Sequence, residues 1–374
     1  MPITNEFYLF RNCFTGSVSG GDMHTSDIFG YLNGSQLNTK ITIIHPENDN
    51  QISSYTNLKN LPELTFSSPS FSNFALLYII RAICCVIFLR VPKSENQKIF
   101  IASAHFIPDV VPVFIKSGFD KSVVRVTYIH HIIQEMNRPK SLTNRLANFQ
   151  EQLCFFVIKN YFDKVVVVNN QVKQSLIERG FKMPILVVDN VINTKPKPDL
   201  AKKYDICFCG RMMSQKGVYD FVEIFKNIKK TMPNITGVMI GTGPEFNQIK
   251  SLITKGKLNI QLTGFIGDEE KYDIIQKSKI FLFPSIEEGW GIAIAEAMTL
   301  GALVIAYDLP VYREVFEHIT VVPIGEVQSL QMATQDGLKD MLKFNSQVLN
   351  AQIYAKKFNI EKIAQKEFNF MTTT

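Results

Sequence analysis

The chain has 374 residues, 46% hydrophobic and 20% charged, with a formal charge of +6. That length allows two ordinary domains with a core each, and the balance excludes a disordered chain or one embedded throughout in a membrane. The modest positive charge suits a protein that handles phosphates or meets an anionic surface; no nucleic-acid partner is expected.

The first strand candidate is EFYLF, followed by TGSVSGGDMH, in which Gly20 and Gly21 lead into a helix. A glycine pair there lets the backbone approach a phosphate or a sugar. No basic region followed by a long apolar run precedes it, so no secretory signal is expected. After the strand KITIIH comes FALLYIIRAICCVIFL, Phe74 to Leu89, with Arg81 at its centre. It is short for a membrane span and carries a central charge, so a buried or membrane-surface helix is expected. KIFIAS, VVRVTYI, KVVVV and ILVV continue the strand series, with helix-length segments between them. VVRVTYI ends in His130 and His131. A histidine pair at a strand's carboxyl end points to a ligand contact more than to a packing role. The next segment carries Arg138, Lys140 and Arg145 beside an apolar helix, which is either solvated or rests on anionic lipid.

Asn190 to Asp205 is rich in proline and lysine and reads as a linker. A fresh series follows: DICFCG, ITGVMIG, IQLTGF, IFLFP and ALVIA, again separated by helical segments. Apolar strands alternating with helices predict parallel, doubly wound sheets, with ligands beyond the carboxyl ends of the strands. Boundaries are expected at 1–193, 194–345 and 346–374, the last segment being helices that cross back to the first domain. The six cysteines form no metal-like pairing and read as reduced thiols.

Four loops of the second half carry chemistry. CGRMMSQKG puts Arg211 and Lys216 between a strand and a helix, where a fork and a point charge suit a diphosphate. IGTGPE, with Gly241, and LTGFI, with Phe265 and Ile266, are glycine turns of weaker signal. PSIEEGWGIAIAEAM holds Glu288, Gly289, Trp290 and Gly291, then a helix whose first amides at Gly291, Ile292 and Ala293 are free for an anion. Glu296 stands in that apolar helix and needs a donor, either a protein group or a ligand hydroxyl. There is no DxD and no HExxH, so no metal is expected.

In order and spacing these motifs resemble the family-4 (GT4) retaining glycosyltransferases, or glycosyl transferases group 1. Glu288 and Glu296 fit the family's E-x7-E pattern. The resemblance implies the GT-B fold, two Rossmann-like domains facing each other across a cleft. It implies an enzyme that takes a UDP- or GDP-sugar as donor substrate, with no other cofactor, and transfers the sugar to a glycan or lipid-linked acceptor. By the same resemblance Glu288 would contact the donor sugar, Glu296 the ribose, and Arg211 and Lys216 the diphosphate, with Gly21 approaching from the first domain. His130, by preference over His131, would bond the sugar near the reacting carbon. A role in cell-surface polysaccharide synthesis follows, in the cytoplasm or at the inner face of its membrane. On this reading Glu296 costs stability in the empty protein and gains its partner with the nucleotide. The rival readings are a nucleotide-sugar epimerase of the same fold and a non-catalytic sugar-nucleotide-binding module.

Overall fold

The computed structural model describes residues 5–13, 20–35, 39–47, 62–67, 74–92, 95–118, 120–132, 142–198 and 200–373. Two compact units emerge, Met1–Val191 with Ile360–Thr374 and Ile192–Asn359.

The first unit opens with β1 (Asn5–Phe10), α1 (Gly20–Gly34), β2 (Thr39–Pro46) and β3 (Glu63–Phe66). It continues through α2 (Phe74–Phe88), β4 (Lys98–Ala102), α3 (Ile107–Ser117) and β5 (Val123–Ile129). Then come α4 (Leu142–Tyr161), β6 (Lys164–Val167), α5 (Asn170–Glu178) and β7 (Ile185–Val187). α5 begins where the Asn169 side chain accepts the Val172 amide at 2.7 Å, a capping bond that satisfies one free donor of the first turn.

The second unit contains β8 (Tyr204–Cys209), α6 (Val218–Lys229), β9 (Gly237–Ile240), α7 (Phe246–Lys255) and β10 (Ile260–Gly264). It goes on with α8 (Asp268–Gln276), β11 (Ser278–Phe283), α9 (Ile292–Thr299), β12 (Leu303–Tyr307) and α10 (Pro310–Val315). β13 (Thr320–Val322), α11 (Val327–Lys339) and α12 (Met341–Ala355) complete it, and α13 (Ile360–Thr372) returns to the first unit.

Each sheet is parallel, with order β3-β2-β1-β4-β5-β6-β7 in the first unit and β10-β9-β8-β11-β12-β13 in the second. Both orders reverse direction beside their first strand, at β1/β4 and at β8/β11. In doubly wound sheets that switch point is where loops diverge and leave room for a ligand. Every run read as a strand from the sequence is one, and β3 and β13 are additional.

The alternation of side chains along β1 builds two cores in the first unit. Phe7 and Leu9 pack with Ile28, Phe29 and Leu32 of α1 and with Ile363 and Met371 of α13. Tyr8 and Phe10 pack on the other face with Cys85, Val113, Cys154 and Ile158 of α2, α3 and α4. In the second unit Ile206, Cys207 and Phe208 of β8 and Ile280, Phe281 and Leu282 of β11 are fully buried. Strands covered on both faces are apolar where they are covered, as ICFC of β8 and IFLF of β11 are.

Candidate active site

The second unit's switch point brings together the loops after β8 and β11. Gly217 ends the first loop at φ 69°, and a Cβ there would lie 1.9 Å from the Pro284 carbonyl oxygen. Only glycine allows this contact. Ser285, fully buried, donates from its hydroxyl to the carbonyls of Gln215 at 3.3 Å and Glu287 at 3.1 Å. The Ile286 amide adds a bond to Gln215 O at 2.9 Å. The two loops are thus zipped together through backbone.

Across that seam Lys216 Nζ meets Glu288 Oε1 at 2.6 Å and the Glu287 carbonyl at 3.1 Å. Both side chains remain partly accessible, so this pair can be engaged by a ligand. Arg211 is exposed on the same loop. The loop after β9 joins in: the Met212 amide donates to Thr242 O at 2.9 Å and the Glu245 amide to Met212 O at 3.0 Å. Gly241, at φ 125°, leaves room for Gly210 O, which a Cβ would approach to 2.1 Å. Gly241 also bridges to Gly264, and Phe265, 86% exposed, and the half-buried Ile266 follow that turn.

Gly291 caps α9 with φ 106°, no side chain satisfies the cap, and Gly289 lies exposed just before it. Ile292 and Ala293, partly buried, begin the helix. The first-turn amides of such a helix are donors without intrahelical partners and attract an anion. Trp290 turns inward: its ring packs edge-on against Phe316 at 5.2 Å and Phe358 at 4.9 Å. The indole therefore anchors the loop, and its Nε1 has no partner among the described residues. Tyr312 of α10 lies behind Gly291, and burial followed by the charge of Glu288 pushes its phenol well up.

Glu296 corrects an expectation. It does not wait for a ligand: Lys271 Nζ of α8 reaches its Oε1 at 2.8 Å, with Asp268 also on that ammonium at 3.0 Å. Burial, the largest influence, raises the Glu296 carboxyl, while Lys271 and the Tyr272 hydroxyl pull it down. Lys271 is drawn down by burial, but Glu296, Tyr272, Cys209 and Asp268 together carry it above the ordinary lysine value. Sequence reasoning missed Lys271 because its helix start, DEEKYD, reads as an ordinary charged turn.

In the first unit the histidine pair separates. His131 is exposed, whereas His130 lies partly buried beneath α1. Gly21 makes that possible: a Cβ on it would lie 2.4 Å from His130 Cδ2. Its missing side chain thus has a structural reason beside the expected one of approaching a diphosphate. Gly20 opens α1, and residues 14–19 of the glycine loop lie outside the described residues, as do Arg138 and Lys140. Tyr128 stacks on the His130 ring at 5.8 Å, and His24 meets it edge-on at 6.2 Å. Behind them Glu367 of α13 accepts from Tyr128 and pairs with His24 at 2.7 Å. Burial, with the nearby His24, His131 and His105, holds the His130 pKa well below the ordinary value. It is neutral at physiological pH, and its Nε2 has no partner among the described residues. Gly21→Ala is expected to push the imidazole aside and lower turnover about tenfold or more, while circular dichroism and thermal unfolding stay near the parent.

The switch point of the first sheet holds a group the sequence did not reveal. Asp109, at the start of α3 and fully buried, accepts from the Asn12 amide at 2.6 Å, Ser103 Oγ at 3.0 Å and the Ala104 amide at 3.1 Å. Burial outweighs these donors and pushes its carboxyl up to about 7. It ties the loop after β1 to the loop after β4. His105 on the latter loop pairs with buried Glu151 of α4 at 3.0 Å.

Residues 191–355 match the family described as glycosyl transferases group 1. The second unit is a group 1 glycosyltransferase domain. An uncharacterized glycosyltransferase of Methanocaldococcus jannaschii is 26% identical over 244 residues, 58% of this chain and 59% of that protein. The O-antigen biosynthesis glycosyltransferase WclY of Escherichia coli is 22% identical over 74% of this chain and 80% of its own. The crystal structure of Anabaena HepE in complex with UDP and glucose superposes with a TM-score of 0.77 at 17% identity, covering 99% of this chain and all of that one. The chain therefore has the two-domain GT-B fold, and the loops after β8, β9 and β11 belong to its group 1 domain.

Proposed function

We propose that the chain is a retaining glycosyltransferase that moves a sugar from a nucleotide-diphosphate sugar to a hydroxyl of a glycan or lipid-linked acceptor. The observation that carries this reading is the pairing of Lys216 with Glu288 across the switch-point seam, beside the uncapped start of α9. A cation, a carboxylate and free helix amides converge there. A diphosphate can take Lys216, Arg211 and the amides of α9, which frees the Glu288 carboxylate for the hydroxyls of the donor sugar. The HepE complex with UDP and glucose supports a donor of this class.

Chemically, the acceptor oxygen forms a bond to the anomeric carbon as the bond to the diphosphate oxygen breaks, on the same face of the sugar. The acceptor's proton passes to the departing phosphate oxygen. Arg211, Lys216 and the α9 amides stabilise the charge that develops on the leaving group, so turnover is assigned without a metal. His130, neutral and with no partner for Nε2 among the described residues, is the group of the first unit assigned to the transferred sugar. Glu296 is assigned to the ribose, its charge held ready by Lys271. The name of the E. coli relative, an O-antigen biosynthesis enzyme, supports cell-surface polysaccharide synthesis as the setting.

A thermal-shift panel of UDP- and GDP-sugars, followed by product analysis with EDTA present, tests the reading. Stabilisation by one nucleotide series and a transferred sugar of unchanged anomeric configuration are expected. A product of inverted configuration, or a new sugar nucleotide formed from donor alone, contradicts it.

A further inference from the structure

α2, α3 and α4 cover one face of the first sheet, and their outward surface is unusually apolar. Leu76, Ile79, Ile83, Ile87 and Phe88 of α2 are 42–59% exposed. On α4, Leu146, Phe149, Leu153 and Phe156 are 44–64% exposed, and Ile115 of α3 adds a further apolar side chain at 48%. The helices are joined into one surface: Lys116 Nζ donates to the Leu89 carbonyl at 2.8 Å, and the rings of Phe114 and Tyr161 lie 4.6 Å apart. Soluble monomers seldom leave so many large apolar side chains together in water.

The charges on these helices are sorted. Their acids are Asp109 and Glu151, and both are fully buried. Arg145 and Lys159 of α4 and Arg90 just beyond α2 are exposed at the margins. Arg81, the one charge within α2, faces inward and donates to the Asn12 carbonyl at 2.9 Å. No helix among the described residues is long and apolar enough to cross a membrane. An apolar face with aromatic side chains, exposed cations and no exposed acid on its three helices fits the boundary between lipid headgroups and acyl chains; the exposed Glu95, Asp120 and Asp163 lie in the connections beyond the helix ends.

We propose that this face docks on an anionic lipid bilayer, lying on it and not spanning it. A protein partner with an apolar contact would need no sorting of the acids, and a second copy of the same face would set Arg90, Arg145 and Lys159 against like charges. The proposal is independent of the donor assignment, since every residue it uses lies in the first unit.

Vesicle flotation of the full chain tests it, with phosphatidylcholine alone and with about one third phosphatidylglycerol added. Binding is expected to the anionic vesicles and to weaken severalfold between about 0.1 M and 0.5 M salt. Phe149→Gln/Phe156→Gln is expected to lower the bound fraction about tenfold or more, and Arg145→Glu/Lys159→Glu to remove the preference for anionic lipid. Calorimetric binding of nucleotide by the second unit should be unchanged in both variants, which separates this surface from the donor site, and a thermal unfolding curve like the parent's shows that the first unit is folded. The proposal is overturned if neither vesicle is bound, or if binding is the same in the variants and the parent. It is equally overturned if the face instead holds two copies together, seen as a dimer by light scattering that Phe149→Gln/Phe156→Gln dissociates while vesicles stay unbound.

Discussion

Lys216→Ala is expected to lower kcat/KM by about 100- to 1,000-fold, the cost of removing one preorganised donor from a developing oxyanion. Lys216 bridges the loops after β8 and β11, with Glu288 Oε1 at 2.6 Å and Glu287 O at 3.1 Å. The variant loses both a cation for the diphosphate and the group that positions the Glu288 carboxylate. Its fold should survive, because the seam is held by Ser285 and by backbone bonds that do not involve the ammonium. Steady-state kinetics with the donor identified by thermal shift, beside an unfolding curve, makes the check. Lys216→Arg should recover little, since a planar fork does not replace a compact ammonium in this position. Unchanged turnover in Lys216→Ala would remove the switch-point seam from the mechanism.

The largest effect on stability is expected from Lys271→Met, about 3–5 kcal/mol, the usual result of leaving one partner of a buried ion pair alone. Glu296 is 4% exposed and has Lys271 as its charge partner. Lys271→Met/Glu296→Gln should recover most of the loss, because the remaining side chain is neutral and can still meet Tyr272. The pH dependence has a definite sign. Burial raises the Glu296 carboxyl above its unfolded value, so the folded chain holds that proton more tightly than the unfolded one. Its contribution to stability is therefore greatest below the ordinary carboxylate pKa, about 4.3, and declines as pH rises. Without Lys271 the decline should steepen. Urea unfolding at several pH values reads both effects, and equal slopes for parent and Lys271→Met would contradict them.

The fold was legible where burial forces a pattern. Central parallel strands such as KIFIA and SKIFLF are covered on both faces, and their apolar runs stand out. β3 and β13 were not legible, because ELTF and TVV are short, partly exposed strands at the sheet edges. In the site, glycines and charges on strand-to-helix loops could be read because backbone approach demands glycine and diphosphates demand cations. Pairings between distant elements could not. Lys271 and Glu296 are 25 residues apart, and no local rule links a lysine in DEEKYD to an acid in IAIAEAM. The same limit hid the Asn12–Asp109 tie and the close approach of Gly21 to His130. Nothing local to the loop showed that the Trp290 ring packs with Phe316 and Phe358.

The central claim is that the second unit's switch-point loops hold the diphosphate of a sugar nucleotide. Calorimetric titration of UDP and GDP into the parent chain and into Arg211→Ala/Lys216→Ala tests it most directly. One nucleotide should bind the parent, and the double variant should bind it at least about tenfold more weakly, in keeping with two lost charge-assisted contacts. Equal affinity in the two proteins, or no binding of either nucleotide by the parent, would contradict it.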